Sequence, residues 1–193
     1  MSSHIEYLKS YATIELVHYN RKNFKISEDI VLYVAIKNIP NLKVKVFEIN
    51  TDNYYRKNMA PFTTNINLDG LVCKTEKDYS FSHLTPQMKR VEEFTFTQFN
   101  NKRGLFVFEF IGNGLSSRAI IQKGNLNFVQ KTTIAGQMAF ILDEHRGICK
   151  GEYTGLFFDN QFFKADENGR IIVPFGRNKQ EGKALIIHDG YAQ

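Results

Sequence analysis

EFIGNGLSSRAIIQKGNL, from Glu109 to Leu126, is the stretch that decides the fold. Its glycine–asparagine–glycine segment at 112–114 fits a phosphate-binding loop or a turn between two strands. A dinucleotide-binding loop needs Gly-x-Gly-x-x-Gly and then a helix whose N-terminus meets the pyrophosphate. Here Ser117 stands at the third glycine position, and the adjacent isoleucines of SSRAIIQKG are typical of a strand. Because glycine and asparagine tolerate positive φ, we predict a hairpin turn.

Strand patterns continue on both sides of this turn. LFVFEFI (105–111) places Phe106, Phe108 and Phe110 on one face, and we expect these three rings to anchor a core. Asn168-Gly169 lies between FFKADE and RIIVPF, which predicts a second hairpin. Further segments alternate or run apolar over strand lengths: YATIELVHY (11–19), DIVLYVAIKNI (29–39), LKVKVFEI (42–49) and VEEFTFTQF (91–99).

Residues 51–90 interrupt this pattern. TDNYYRKNM, from residue 51, predicts a helical turn that Asp52 caps. The following residues predict irregular chain with a crossover around Pro86. The helical turn carries the best candidate for an exposed binding surface, because aromatic and cationic side chains are adjacent there: Tyr54, Tyr55, Arg56 and Lys57.

Many short strands and no long amphipathic helix predict an all-β chain. We predict two tandem immunoglobulin-like or macroglobulin-like β-sandwich units with short connections. The first would cover residues 11–129, after an N-terminal extension at 1–10 and with an irregular insertion near 51–90. The second, smaller unit would cover 130–193.

Composition and charge are those of an ordinary globular protein. The 17 Phe and 9 Tyr favour strands. The net charge of +5 arises from 25 Lys and Arg scattered among 20 Asp and Glu, whereas nucleic-acid binders concentrate their cations on one surface. The two cysteines, Cys73 and Cys149, are too few for a disulfide framework. Buried thiols are the default interpretation, and a single bridge stays open.

The sequence contains no recognisable catalytic, cofactor or metal motif. Asp143-Glu144 and Asp166-Glu167 adjoin predicted turns and lack the calcium-loop spacing of alternating acids with a distal Glu. The histidines form no His-x-x-x-His pair. A hydrolase would need one of them to meet a carboxylate and a nucleophile in three dimensions. We therefore predict no catalytic, cofactor-binding or metal-ligating residues, and no enzyme activity.

RGLFVFEFIGNGLSSRAIIQKGNL, with LDEHRG and ADENGRIIVPF further on, resembles macroglobulin-like β-sandwich domains. In particular it is similar to the tandem units of large alpha-2-macroglobulin-related proteins. The likeness covers about Ser27 to the C-terminus and consists of a strand ending in a glycine turn, then a short unit with an Asp-Glu-Asn-Gly-Arg hairpin. The family's thioester motif Gly-Cys-Gly-Glu-Gln is absent. The resemblance implies a modular, non-catalytic piece of a larger protein.

The functional hypothesis is a structural or protein-interaction module, whose partner is another protein or neighbouring domains of the same parent chain. The alternative is a β module that binds carbohydrate or nucleic acid through exposed Tyr, Phe and Lys side chains. We expect no cofactor and no membrane span. Localisation stays open: extracellular if the parent protein is macroglobulin-like, and cytoplasmic otherwise.

Overall fold

The described part of the chain is built mainly from antiparallel strands, and the predicted all-β sandwich fold is confirmed. The computed structural model describes residues 6–7, 10–58, 62–63, 68, 71–82, 85, 88–175 and 183–193. His4 and His83, two of the five histidines, and Pro86, at the predicted crossover, lie outside these ranges.

The chain divides into two compact units. The first unit comprises residues 1–49 and 62–123, and the second comprises residues 50–61 and 124–193. Each unit is described by itself below. The division that we predicted from sequence, at residue 129, stays a prediction.

The first unit is a sandwich of a three-stranded and a five-stranded sheet, with strand orders β1-β3-β6 and β2-β8-β7-β4-β5. Consecutive strands β3 and β4 lie in different sheets, so Asn38 at their junction, with φ of 54°, turns the chain from one sheet to the other. The strands are β1 (Thr13–Leu16), β2 (Asn23–Phe24), β3 (Ile30–Lys37), β4 (Asn41–Ile49), β5 (Cys73–Ser80), β6 (Arg90–Phe96), β7 (Gly104–Gly112) and β8 (Leu115–Lys123).

Alternating apolar residues fill the core between these two sheets. Phe106, Phe108 and Phe110 of β7 are all buried, which confirms that the three rings share the inward face. The ring of Phe108 lies 4.6 Å from that of Phe96, and the ring of Phe106 lies 4.7 Å from that of Phe99. Large rings remove about 150–250 Å² each from water. These contacts therefore hold the two sheets face to face.

The glycine–asparagine–glycine segment at 112–114 is a hairpin turn, as predicted. Strands β7 and β8 pair antiparallel along their whole length. Asn113 and Gly114 have φ angles of 47° and 74°. Two consecutive left-handed residues are typical of the turn whose twist matches that of paired strands. A strand follows, so the segment does not open a helix that could bind a phosphate.

Strand β8 ends at a buried lysine. Lys123 is 0% exposed, and its Nζ donates hydrogen bonds to the carbonyl oxygens of Lys25 and Glu28 and to Oδ1 of Asn100. An ammonium group has three protons to donate, and here there are three acceptors. Burial lowers the pKa of Lys123, against the opposing effect of the Asp29 and Glu28 carboxylates. The lysine thus links the segment before β3 to the chain after β6.

Strand β5 lies within the segment that we predicted to be irregular. Its sequence CKTEKDYS has no apolar alternation, because β5 is an edge strand with mostly exposed side chains. It pairs with β4, and charged side chains add to that pairing: Lys43 bonds to Glu76, and Lys74 lies 3.4 Å from Glu48. Such pairs on the surface contribute little each, so backbone pairing is what holds β5.

The second unit combines a three-stranded sheet, β13-β10-β9, with a four-stranded sheet, β12-β11-β14-β15. Its strands are β9 (Asn127–Thr133), β10 (Gly136–Leu142), β11 (Gly155–Phe158), β12 (Gln161–Lys164), β13 (Arg170–Val173), β14 (Leu185–His188) and β15 (Tyr191–Ala192). Its main core contains buried residues from both sheets: Leu126, Ala139, Ile141, Cys149, Leu156, Ala165, Ile171, Ile186 and Tyr191.

A short helix, α1 (Thr51–Asn58), packs on the four-stranded sheet of the second unit. Thr51 Oγ1 accepts the backbone N–H of Ala192 at 2.8 Å. Tyr55 packs against a small cluster of buried residues on that sheet: Phe157, Leu185, Ile187 and Ala192. These contacts explain why residues 50–61 group with the second unit although the chain around them belongs to the first.

The cap of α1 is Asn50, which corrects our assignment of Asp52. Asn50 Oδ1 accepts the backbone N–H of Asn53 at 3.0 Å, which satisfies one of the free donors at the helix start. Asp52 instead pairs with Arg56, four residues further on, at 2.5 Å. An Asp in the first turn still favours the helix through its charge.

Asn168-Gly169 forms a turn, but the predicted hairpin around it is wrong. Gly169 has φ of 80°, as an Asn-Gly turn requires. However, β12 pairs with β11 while β13 pairs with β10, so the turn carries the chain from one sheet to the other. The reason lies three residues before Asn168. Ala165 donates its backbone N–H to the carbonyl oxygen of Thr154, just before β11, and is buried in the core, which keeps the end of β12 on the β11 side.

Candidate protein-interaction surface

The three-stranded sheet of the second unit has an apolar outer face. Along β10 the buried residues Ala139 and Ile141 point to the core. Successive side chains of a strand alternate between faces. Met138, Phe140 and Leu142 therefore lie on the opposite face, where they are only half-buried. Three apolar side chains thus line the outer face of a single strand.

The neighbouring strands extend this apolar row. In the strand register, Val129 of β9 lies beside Phe140, and Met138 lies between Lys131 of β9 and Ile172 of β13. Cross-strand partners share one face of the sheet. We call this set the outer face: Val129, Lys131, Met138, Phe140, Leu142 and Ile172. Val129 and Ile172 are its exposed apolar members, and the β10 side chains between them are half-buried; apolar surface beside a charge is typical of interaction sites.

Strand β9 borders the outer face and is the edge of its sheet. All but the last of its seven residues are exposed, and among the described residues β9 pairs only with β10. Phe128, whose register partner is the inward Ile141, is still 43% exposed, and Val129 on the outer face is 51% exposed. A free edge presents unpaired backbone N–H and C=O groups to another strand. Sequence analysis missed this surface, although the adjacent Phe128 and Val129 and the unbroken apolar run of β10 were visible signals.

Two turns of the same construction support this sheet. Asp143 Oδ1 accepts the backbone N–H groups two and four residues further on, at 2.8 and 2.7 Å. Asp166 Oδ1 does the same at 2.9 and 2.8 Å. The backbone N–H of Arg170 is the main reason why the pKa of Asp166 is lowered. The Asp166 carboxylate therefore stabilises the fold above its ordinary titration range, and this contribution is lost as the pH falls through the lowered pKa.

The glycine of the second turn offers a stability test. Gly169→Ala would place a Cβ 2.4 Å from Ile148 Cγ2 and 2.9 Å from the Cys149 carbonyl oxygen, at φ of 80°. We expect a loss of about 2 kcal/mol in unfolding free energy. Gly190 is the matched control, because its φ is 79° with nothing within 4 Å. Gly190→Ala should cost about 1 kcal/mol, from backbone strain alone. If urea denaturation shows the same loss of unfolding free energy for Gly169→Ala and Gly190→Ala, the crowding at Gly169 is contradicted.

The predicted patch of Tyr54, Tyr55, Arg56 and Lys57 lies on α1, and its side chains have different surroundings. Tyr55 packs against the cluster on the four-stranded sheet, and this burial raises the pKa of its hydroxyl. The Arg56 guanidinium lies 4.5 Å from the ring centre of Phe157. Tyr54 stacks edge-on against Tyr55 at 5.5 Å, and Lys57 is exposed. Binding of carbohydrate or nucleic acid by these residues stays a prediction.

Arg56 and Lys57 can be separated by mutation. Arg56→Ala removes the cation–π contact with Phe157 and the ion pair with Asp52, and we expect it to lower the unfolding free energy by about 0.5–1 kcal/mol. Lys57→Ala should leave stability within about 0.5 kcal/mol of wild type. If α1 binds polyanions, Lys57→Ala should reduce salt-dependent retention on heparin without this loss of stability. Retention that Lys57→Ala leaves unchanged would count against α1 as the binding site.

One histidine meets a hydroxyl and a carboxylate, the arrangement that a hydrolase would need. His188 Nδ1 lies 2.8 Å from Thr154 Oγ1, and its Nε2 lies 3.4 Å from Asp189 Oδ2. Thr154 is 0% exposed, so its hydroxyl is not accessible to a substrate. The contact ties β14 to the turn before β11. Of the other described histidines, His18 packs against Tyr19 and His145 is exposed.

The first unit carries a shallow depression near the corner between β3 and β4. Its volume is about 140 Å³, smaller than the roughly 300–1,000 Å³ of typical ligand pockets. Five apolar and five polar or cationic residues line it: Ile36, Ile39, Pro40, Phe81 and Met88, with Lys37, Asn38, Ser82, Thr85 and Arg90. It is better suited to a single side chain than to a cofactor.

A row of alternating charges crosses the five-stranded sheet of the first unit. The strand register places Glu76, Lys45, Glu109 and Arg118 side by side on four strands. Arg118 bonds to Glu109 at 2.7–2.8 Å, and Lys45 lies 3.8 Å from Glu76. Two acids balance two bases, so this row is neutral and does not form a cationic stripe.

The described ranges contain no group of three or more His, Cys, Asp and Glu side chains placed to hold a metal ion. No helix there has the length and apolar composition needed to cross a membrane. Cys73 and Cys149 do not form a disulfide with each other.

Comparison with known proteins confirms the predicted resemblance. A family model described as the AbpF first immunoglobulin-like domain matches residues 42–124, which run from β4 to the end of β8. The structure is also similar to a crystal structure of native alpha-2-macroglobulin from Escherichia coli spanning domains MG0-NIE-MG1, with a TM-score of 0.51 and 10% identity, over 94% of this chain and 62% of that one. This chain resembles immunoglobulin-like and macroglobulin-like β-sandwich domains. At that identity, the structural likeness concerns the fold alone.

A curated relative is similar along nearly the whole sequence. Actin-binding protein F from Dictyostelium discoideum is 38% identical over 183 residues, which are 95% of this chain and 8% of that protein. The chain therefore spans less than a tenth of the length of the relative that it matches.

Proposed function

We propose that this chain is a non-catalytic protein-interaction module of a larger protein that associates with actin. The observation that carries this proposal is the 38% identity to Actin-binding protein F over 95% of the chain. Identity at this level along both units supports a counterpart of the whole two-unit segment in that relative. The partly exposed apolar outer face of the second unit, with Val129 and Ile172 open to solvent, supports a role in binding rather than in spacing alone.

Co-sedimentation with filamentous actin tests the proposal. The 193-residue chain should pellet with filaments in a saturable manner and should stay in the supernatant without them. Binding should weaken in part, and not vanish, as salt rises, because apolar contacts resist screening. A chain that stays in the supernatant at every filament concentration would contradict an actin partner.

A further inference from the structure

We propose that β9 is a docking edge onto which a partner protein adds an extended strand with the sequence order acidic residue, any residue, apolar residue, apolar residue. The inference rests on the proposed function in one respect, that the chain is an interaction module. It goes beyond that function by naming the surface and the chemistry of the partner segment. Three side chains of β9 would meet the added strand: Phe128, Val129 and Lys131.

The backbone of β9 supplies the first requirement of such docking. The strand has seven residues, and within the described chain only its β10 side is paired. An added strand would use the N–H and C=O groups of the free side, which gives affinity with little sequence preference. The side chains on the two faces then select the partner's residues, because cross-strand neighbours lie about 4.5–5.5 Å apart.

The apolar residues of β9 are exposed on both faces of the sheet. Phe128 is on the inward face but 43% exposed, because β9 is the last strand beside the core. Val129 is on the outer face and 51% exposed, beside Phe140. An added strand with two adjacent apolar residues would cover both, one on each face, and would extend the outer face by one strand.

Lys131 supplies the charge preference. It is the one charged residue of β9 and is exposed on the outer face, two positions from Val129. Among the described residues, no carboxylate forms an ion pair with it. An acidic residue opposite Lys131 would be favourable, and a cation there would be repelled. In antiparallel pairing, the partner's acid then precedes its two apolar residues with one residue between them.

A second copy of this chain fits the edge less well. Symmetric antiparallel pairing of two β9 strands can place Val129 opposite Val129, which leaves Phe128 opposite Gln130. It can instead place Phe128 opposite Phe128, which leaves Val129 opposite Asn127. No symmetric antiparallel register gives both apolar residues an apolar partner. A heterologous strand is free of this constraint, so the side chains favour a different protein as the occupant.

The test is an NMR titration of the whole chain with a blocked octapeptide that contains Asp-Thr-Val-Ile at its centre. We expect shift changes and slower amide exchange in β9, with smaller changes in β10. Val129→Lys should weaken binding about tenfold, because it puts a second cation and no apolar surface on the edge. Val72→Lys is the matched control, because Val72 is an exposed valine of the first unit. It should leave binding unchanged.

A charge exchange tests the position of the acid. Lys131→Glu should weaken binding of the aspartate peptide about fivefold. The Lys131→Glu variant should bind a peptide with lysine in place of the aspartate more tightly than it binds the aspartate peptide. Neither a general loss of affinity nor unfolding produces that reversal. Peptide-induced shift changes outside β9 and β10 would overturn the proposal, and so would a Val129→Lys variant that binds the peptide as wild type does. Shifts of β9 that depend on protein concentration without peptide would also overturn it, because they would identify a second copy as the occupant. Actin co-sedimentation is a separate measurement, so the proposed actin association and the proposed β9 docking can each be contradicted without the other.

Discussion

Lys123→Met is expected to lower the unfolding free energy of the first unit by about 3 kcal/mol. Methionine keeps most of the apolar stem but cannot donate a hydrogen bond. The carbonyl oxygens of Lys25 and Glu28 and the Asn100 side chain would then lose their shared donor in a site where Lys123 is 0% exposed. Hydrogen bonds from a charged donor contribute more than those between neutral groups, which is why the loss exceeds that of a surface lysine.

The measurement is denaturant unfolding followed by hydrogen exchange of β7 and β8 amides, because these report on the first unit alone. Lys77→Met is the matched control: Lys77 is exposed on β5 of the same unit, and its replacement should change stability by less than about 0.5 kcal/mol. A Lys123→Met variant as stable as the control would show that the three hydrogen bonds do not contribute to folding.

The pH dependence of the same variant provides an independent test. Burial lowers the pKa of Lys123 in the folded chain. Between this lowered pKa and the unfolded value of about 10.4, the unfolded state binds more protons, so rising pH stabilises the fold. The difference in unfolding free energy between wild type and Lys123→Met should therefore grow as the pH rises from the lowered pKa toward about 10.4. Tyrosine titration affects both proteins and cancels. A constant difference would contradict the lowered pKa.

Phe108→Ala is expected to destabilise the first unit by about 4 kcal/mol. Phe108 is fully buried, 4.6 Å from the Phe96 ring and 5.9 Å from the Phe99 ring. Its removal leaves a cavity between two sheets, whose paired backbones limit how far the site can collapse. Phe108→Leu should cost about a third as much, because most of the volume remains.

Val91→Ala is the control for this substitution, because Val91 is half-exposed on β6 of the same unit. We expect it to change the unfolding free energy by less than about 0.5 kcal/mol. Denaturation curves for the second unit, followed by amide exchange in β10, should be unaffected by either variant if the units unfold independently. A loss below about 1 kcal/mol for Phe108→Ala would show that the aromatic contacts do not determine stability.

The interaction surface was harder to predict from sequence than the core. Tyr54 to Lys57 attracted attention because aromatic and cationic residues are adjacent there. In the structure, Tyr55 and Arg56 pack against the sheet beneath α1. Phe128 and Val129 resemble core residues in sequence, and they are exposed because β9 lies at the edge of its sheet. Which strand is an edge depends on long-range pairing, which local sequence patterns do not encode.

The sequence by itself determined the properties that depend on near neighbours. Alternation placed Phe106, Phe108 and Phe110 on one face, and the glycine–asparagine–glycine segment at 112–114 specified a left-handed turn that returns the chain antiparallel. Both follow from local backbone geometry. Only the tertiary structure decided that Asn168-Gly169 joins two sheets, that the buried Lys123 finds three acceptors, and that β9 is left at an edge. Each of these depends on residues brought together from distant parts of the chain, where pairing and packing override local preference.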